Sequence, residues 1–268
     1  MTLGNRFTNI IGGTGRWFLS KFGRISDQLA FFFVCLKMMV RHRTTGRQLM
    51  GRVVIQQIFF TGAQSFELVI LVATITGAVM VLGGLSQLAK LGSMDELAIL
   101  LIVVLIRELG PILSAMIILL RSGSAIALEI GYMNVLGEIE GLQMQGIPVL
   151  HFLCVPRLIG VATAVVCTVV LFDIIAIIGG FLAAWVLRDI NIGSFLYTLT
   201  TTMKRTDFAL VVVKGLVFGI MIPVVCLYHG FQARDSITDV PPRVSRALVD
   251  CLLYTVFLNI LISAAFLS

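Results

Sequence analysis

Five apolar stretches, at about 66–89, 97–120, 158–187, 209–228 and 247–267, are each long enough to cross a bilayer. A membrane-spanning helix needs roughly 20 apolar residues, and in lipid its backbone must satisfy its own hydrogen bonds. With five such segments in 268 residues, the fold class that fits is all-α integral membrane. The charge content agrees: 13% of residues are charged, against about 25% in a soluble domain. The net charge of +6 is then read as an orientation signal and a contact to anionic lipid, not as a nucleic-acid surface.

Lysine and arginine set the orientation. Residues 1–52 carry nine of them against one acid, Asp27, which places this segment in the cytoplasm. With the loops alternating, Arg121, Arg157, Arg234, Arg243 and Arg246 also fall inside. Lys90, Arg188, Lys204 and Arg205 fall outside, so the count is fourteen against four. The expected topology is N-in/C-out. Phe7, Ile11, Phe18, Phe22, Ile25 and Leu29 recur at helical spacing, interleaved with Arg6, Arg16, Lys21 and Arg24. That pattern predicts an amphipathic helix over 5–29, lying in the cytoplasmic interface. The chain thus divides into a basic cytoplasmic segment, 1–52, and a membrane domain, 53–268. The apolar stretch 29–40 is broken by Lys37 and followed by "RHRTTGR", so no cleavable signal peptide is expected.

The five cysteines lack CxxC spacing and the three histidines are scattered. They are read as core residues, with no metal site expected. Walker A, HExxH and nucleophile-elbow motifs are absent. The chain is therefore expected not to be an enzyme and to bind no cofactor of its own.

The second span, "LIVVLIRELGPILSAMIILL" (101–120), holds Arg107 and Glu108 side by side in an apolar run. A charge at a helix centre costs roughly 2.5–3.5 kcal/mol on insertion scales. Neighbours at i and i+1 point about 100° apart, so each is expected to find its own partner or to face water. Pro111 lacks the amide hydrogen that would bond the carbonyl of Arg107, so a kink is expected there. Arg107, Pro111 and Ser114 share a face, which reads as a cavity wall bearing an arginine suited to phosphate or carboxylate. The structural alternative is a buried interhelical ion pair, Arg107 with Asp173 or Glu108 with Lys214. Asp173 and Lys214 themselves are read as structural intramembrane charges.

After "RSGSA" (121–125), Ile130, Met133, Leu136, Ile139 and Leu142 recur every three residues, flanked by Glu129, Glu138 and Glu140. This predicts a short amphipathic helix over about 129–142, ending near Gly146 and Pro148. Its acidic face suits a protein partner better than anionic lipid.

The block from "RELGP" (107–111) through "RSGSA" (121–125), "EIG" (129–131), the Met-containing helix end at 142–147 and "PR" (156–157) resembles MlaE/YrbE-type permeases. "GG" at 179–180 and Lys214 match as well, and the resemblance covers about residues 50–268. These permeases are the membrane subunits of Mce-associated ABC transporters. The resemblance implies a homodimer, a cytoplasmic ABC ATPase that uses ATP and Mg, a small STAS-type regulator on it, and a periplasmic Mce-domain protein. The substrate is a phospholipid or related lipid, and the setting a bacterial inner membrane. Outer-membrane lipid asymmetry is the implied purpose. By the same resemblance, Arg107, Glu108, Gln87, Leu82, Leu85 and Pro111 meet the lipid. Glu129, Tyr132, Met133, Leu136, Glu138 and Glu140 couple to the ATPase. Two departures stand out. The first span ends "VLGGLSQLAK", with Gln87 near a position where relatives carry an aromatic. Pro241-Pro242 stands where relatives usually have a glycine-rich turn.

Other readings of a five-span chain are a small-solute ABC importer, a secondary transporter or a scaffold subunit. A small-solute lumen needs more polar lining than Arg107, Glu108 and a few Ser, Thr and Gln offer. Secondary transporters usually carry internal repeats, and none is found here. A scaffold gives no reason for mid-membrane charges.

Overall fold

The computed structural model of the chain describes residues 23, 26–38, 47–91, 101–188, 193, 197, 200–234 and 236–267. It leaves out the side chains of 47–49, 85–91, 101, 102, 187, 188 and 267. Most of the amphipathic helix expected over 5–29 lies outside these residues. The described N-terminal helix, α1, covers 26–38. Among the described residues there is no strand.

Five long apolar helices follow, as the hydropathy requires: α2 (Arg47–Leu91), α3 (101–135), α5 (150–188), α6 (Arg205–Phe231) and α7 (Val240–Leu267). A short α4 (Glu138–Met144) lies between α3 and α5. Three segments wind as π-helix: Leu101–Leu109 and Leu119–Gly123 in α3, and Leu150–Cys154 opening α5. Such segments interrupt the α ladder and concentrate at functional sites.

Helices α5 and α6 form the middle of the bundle. Helix α2 lies along α5, α6 packs on α5 and on α7, and α3 touches α5, α6 and α7. Lipid tails are as apolar as leucine, so close backbone approach has to supply much of the attraction between these helices. Glycines provide it. A Cβ on Gly77 would lie 1.9 Å from the Ala176 carbonyl oxygen, and one on Gly219 would lie 2.7 Å from Ala162 Cα. The Gly179-Gly180 pair does the same from α5, against Thr74 and Val81 of α2. Burial tracks this arrangement: 67% of the most apolar window of α6 is buried, against 22% for α2 and for α7. The two outer helices present their apolar faces outward, as lipid contact demands.

The expected single helix over 129–142 is two helices. Helix α3 runs unbroken to Val135. Gly137 then adopts φ 75° and α4 starts at Glu138. The left-handed conformation ends α3, because a residue there cannot continue an α-helix. A spacing of three does not reveal that break. The end near Gly146 is where the sequence places it: Gly146 has φ 76°, and Ile147 N–H donates to Leu142 O at 3.1 Å, closing a Schellman turn. Asn134 ties the corner to α6 by donating to the carbonyls of Phe231 and Ala233, at 2.9 and 2.7 Å.

Candidate functional site

Arg107 and Glu108 lie in the π-helical start of α3, and each finds a partner on α6. The Arg107 guanidinium donates through Nη2 to Asp207, in the first turn of α6. Lys214 Nζ lies 3.1 Å from Glu108 Oε2. Asp207 and Lys214 are seven residues apart, two turns on one face of α6. A single helix therefore offers both countercharges, and the adjacency of Arg107 and Glu108 is answered by two interhelical pairs.

Lys214 is the most constrained member. Its side chain is 0% exposed, and an ammonium has three hydrogens to place. All three are used: on Glu108 Oε2 at 3.1 Å, Ser263 Oγ at 2.6 Å and the backbone carbonyl of Arg107 at 2.6 Å. That last acceptor is the carbonyl for which Pro111 supplies no amide hydrogen in α register. The helix opens from π to α at Gly110, one residue before this proline. A lysine from α6 thus occupies the backbone vacancy that the proline leaves, while its charge is balanced by Glu108.

Helix α7 completes the cluster. Ser263 Oγ donates to Glu108 Oε1 at 2.6 Å, and Asn259 Nδ2 donates to Glu108 Oε2 at 2.5 Å. Asp207 is likewise shared: its Oδ2 accepts the Lys204 backbone N–H at 2.9 Å and so caps α6. Arg107 and Glu108 nevertheless keep 25% and 33% of their side chains exposed, and Arg107 Nε is buried without a partner. The guanidinium thus retains donor capacity beyond its bond to Asp207.

The proposed pair of Arg107 with Asp173 is not formed. Asp173 is buried on α5 and lies against Gly110: a Cβ there would come within 2.0 Å of Oδ1. Oδ1 itself has no hydrogen-bond partner. The arginine is instead drawn to the α6 N-terminus, because side chains lean toward their own helix N-terminus and Asp207 waits there. The alternative pair, Glu108 with Lys214, is present. Pro111 is buried beneath the cluster. Leu82 is half-buried on α2, which lies along α5 and also touches the π-helical start of α3. The side chains of Leu85 and Gln87 lie outside the described residues.

Asp207, Asn259 and Ser263 escaped the sequence reading. Asp207 falls two residues before the span expected at 209–228. Its signal is the i, i+7 relation to Lys214. Asn259 and Ser263 are four apart in the last span, a polar stripe that could have been read as one helix face.

Around the α3–α4 corner, Leu136 is 59% exposed, while Glu138 and Glu140 point outward on either side of the buried Ile139. Tyr132 and Met133 pack against the core. Glu129 is held by Arg157, Nη2 to Oε2 at 2.8 Å, which ties α3 to α5.

An all-α bundle with five helices long and apolar enough to cross a membrane defines a multi-pass membrane protein. The family model described as Permease MlaE matches residues 54–265, and the chain belongs to that family. It is similar to a probable ABC transporter permease protein of Rickettsia prowazekii, with 27% identity over 80% of this chain and 82% of the relative. It is also similar to the intermembrane phospholipid transport system permease protein MlaE of Haemophilus influenzae, with 25% identity over 78% and 81%. A third relative is the chloroplast protein TRIGALACTOSYLDIACYLGLYCEROL 1 of Arabidopsis thaliana, with 23% identity over 79% and 61%.

Proposed function

We propose that the chain is the membrane subunit of an ABC transporter that moves phospholipid between a bacterial inner membrane and a periplasmic Mce-domain protein, and so maintains outer-membrane lipid asymmetry. The observation that carries this reading is the family match over 54–265. The name of the Haemophilus relative supplies the substrate class. In this reading the chain lies N-in/C-out and works as a homodimer. A cytoplasmic ATPase, with its STAS-type regulator, binds ATP and Mg. The lipid's acyl chains run along Leu82 and Leu85, with Gln87 at the headgroup. Its phosphate takes the free donors of Arg107, above Pro111, while Glu108, fixed by three neighbours, holds that stretch of α3 in place.

Arg107→Lys keeps the charge for Asp207 but removes the planar donor fork. Phospholipid transfer by the reconstituted transporter is expected to fall about tenfold, the loss of one charge-assisted hydrogen bond, with assembly intact. Unchanged transfer would remove Arg107 from the lipid path.

The exposed Leu136, Glu138 and Glu140 are the ATPase contact in this reading, with Tyr132 and Met133 packed behind them and Glu129 locked to Arg157. Glu138→Lys is expected to abolish co-purification of the ATPase without lowering the melting temperature. An ATPase that still co-purifies in full would move the coupling surface elsewhere. The whole reading is tested by isolating the tagged chain from native membranes in mild detergent. An ATPase, an Mce-domain protein and phospholipid are expected together. A lone, lipid-free chain would overturn it.

A further inference from the structure

We propose that a groove between α1, α6 and α7 is a second lipid site, selective for an amphiphile with a primary-ammonium head. The groove encloses about 820 Å³, within the range of small-molecule sites. Its walls follow helical register. Val217 and Val224 of α6 are two turns apart, as are Asp250 and Phe257 of α7, while Leu29 and Phe32 of α1 close the side. Along two antiparallel helices this gives an apolar channel about 11 Å long.

One end of that channel is polar. Asp250 and Gln28 line it. His229 Nε2 lies 3.0 Å from Asp250 Oδ2, with the Gln28 amide nitrogen 3.5 Å from the same ring nitrogen. Gln28 and His229 are only 4% and 2% exposed, so their geometry is fixed, whereas Asp250 keeps 19% of its side chain open. The described partner of Asp250 uses Oδ2 alone. A carboxylate at the mouth of a long apolar groove complements a cationic donor above an acyl chain and repels an anionic head. This is the opposite polarity to Arg107. The two places are also apart: His229 lies fifteen residues beyond Lys214 on α6, about 22 Å along the helix.

The test uses the purified full chain in nanodiscs of equal phosphatidylethanolamine and phosphatidylglycerol with identical acyl chains. Lipid retained after detergent extraction is quantified by mass spectrometry. Wild-type protein is expected to retain the ethanolamine lipid about tenfold over the glycerol lipid, the selectivity of one charge-assisted hydrogen bond. Asp250→Asn should bring the ratio close to one. Val224→Trp should fill the groove and remove the retained ethanolamine lipid. Equal retention of both lipids by wild-type protein overturns the proposal, whatever the variants do. So does Val224→Trp protein, still folded by its melting curve, that keeps the ethanolamine lipid. Failure here leaves the transport reading untouched, because that reading rests on co-purifying partners and on Arg107.

Discussion

Glu108→Ala is expected to destabilise the folded chain by about 3–5 kcal/mol, the range for removing one partner of a buried ion pair. The size comes from what is left behind. Lys214 has no exposed side-chain surface, so its ammonium would remain buried with only the Arg107 carbonyl and Ser263 as acceptors. Lys214→Met should be milder, because Glu108 is 33% exposed and keeps its bonds from Asn259 and Ser263. Its main loss is the capped Arg107 carbonyl, about 1–3 kcal/mol. The double variant Glu108→Ala/Lys214→Met should recover much of the loss, since replacing both charges by apolar groups is often close to neutral. Thermal melting of the four proteins in one detergent completes the cycle. Equal effects of the two single variants, or no recovery in the double, would mean that Lys214 is not the isolated charge the geometry describes.

Gly77→Leu is expected to cost about 3 kcal/mol or more, at the upper end of overpacking. A Cβ at Gly77 would meet the Ala176 backbone at 1.9 Å, so no rotamer relieves the clash and α2 must move off α5. Because α2 reaches the bundle chiefly through α5, little else holds it. Gly62 is the control on the same helix. Nothing lies within 4 Å of its Cβ position, and Gly62→Ala should stabilise by up to about 1 kcal/mol through helix propensity. Melting curves for both separate packing from propensity. A Gly77→Leu protein that melts with the wild type would show that the close approach of α2 and α5 is dispensable.

The sequence by itself determined that this is an all-α membrane protein with five spans, because unbroken apolar length is a one-dimensional property and lipid allows a single chain few alternatives. It also determined that Arg107 and Glu108 needed partners, that Pro111 disturbed the helix beside them, and that the block around them resembles one permease family. Only the tertiary structure decided which groups answered. Periodicity says which face of its own helix a residue occupies, and nothing about which helix stands opposite. Asp173 was the countercharge the sequence offered for Arg107; the packing of α3 on α6 brings Asp207 to it instead and leaves Asp173 against Gly110. Lys214 could be seen as a countercharge for Glu108. That its third hydrogen fills the carbonyl vacancy below Pro111 depends on two helices meeting at one height, and the sequence carries no coordinate for that.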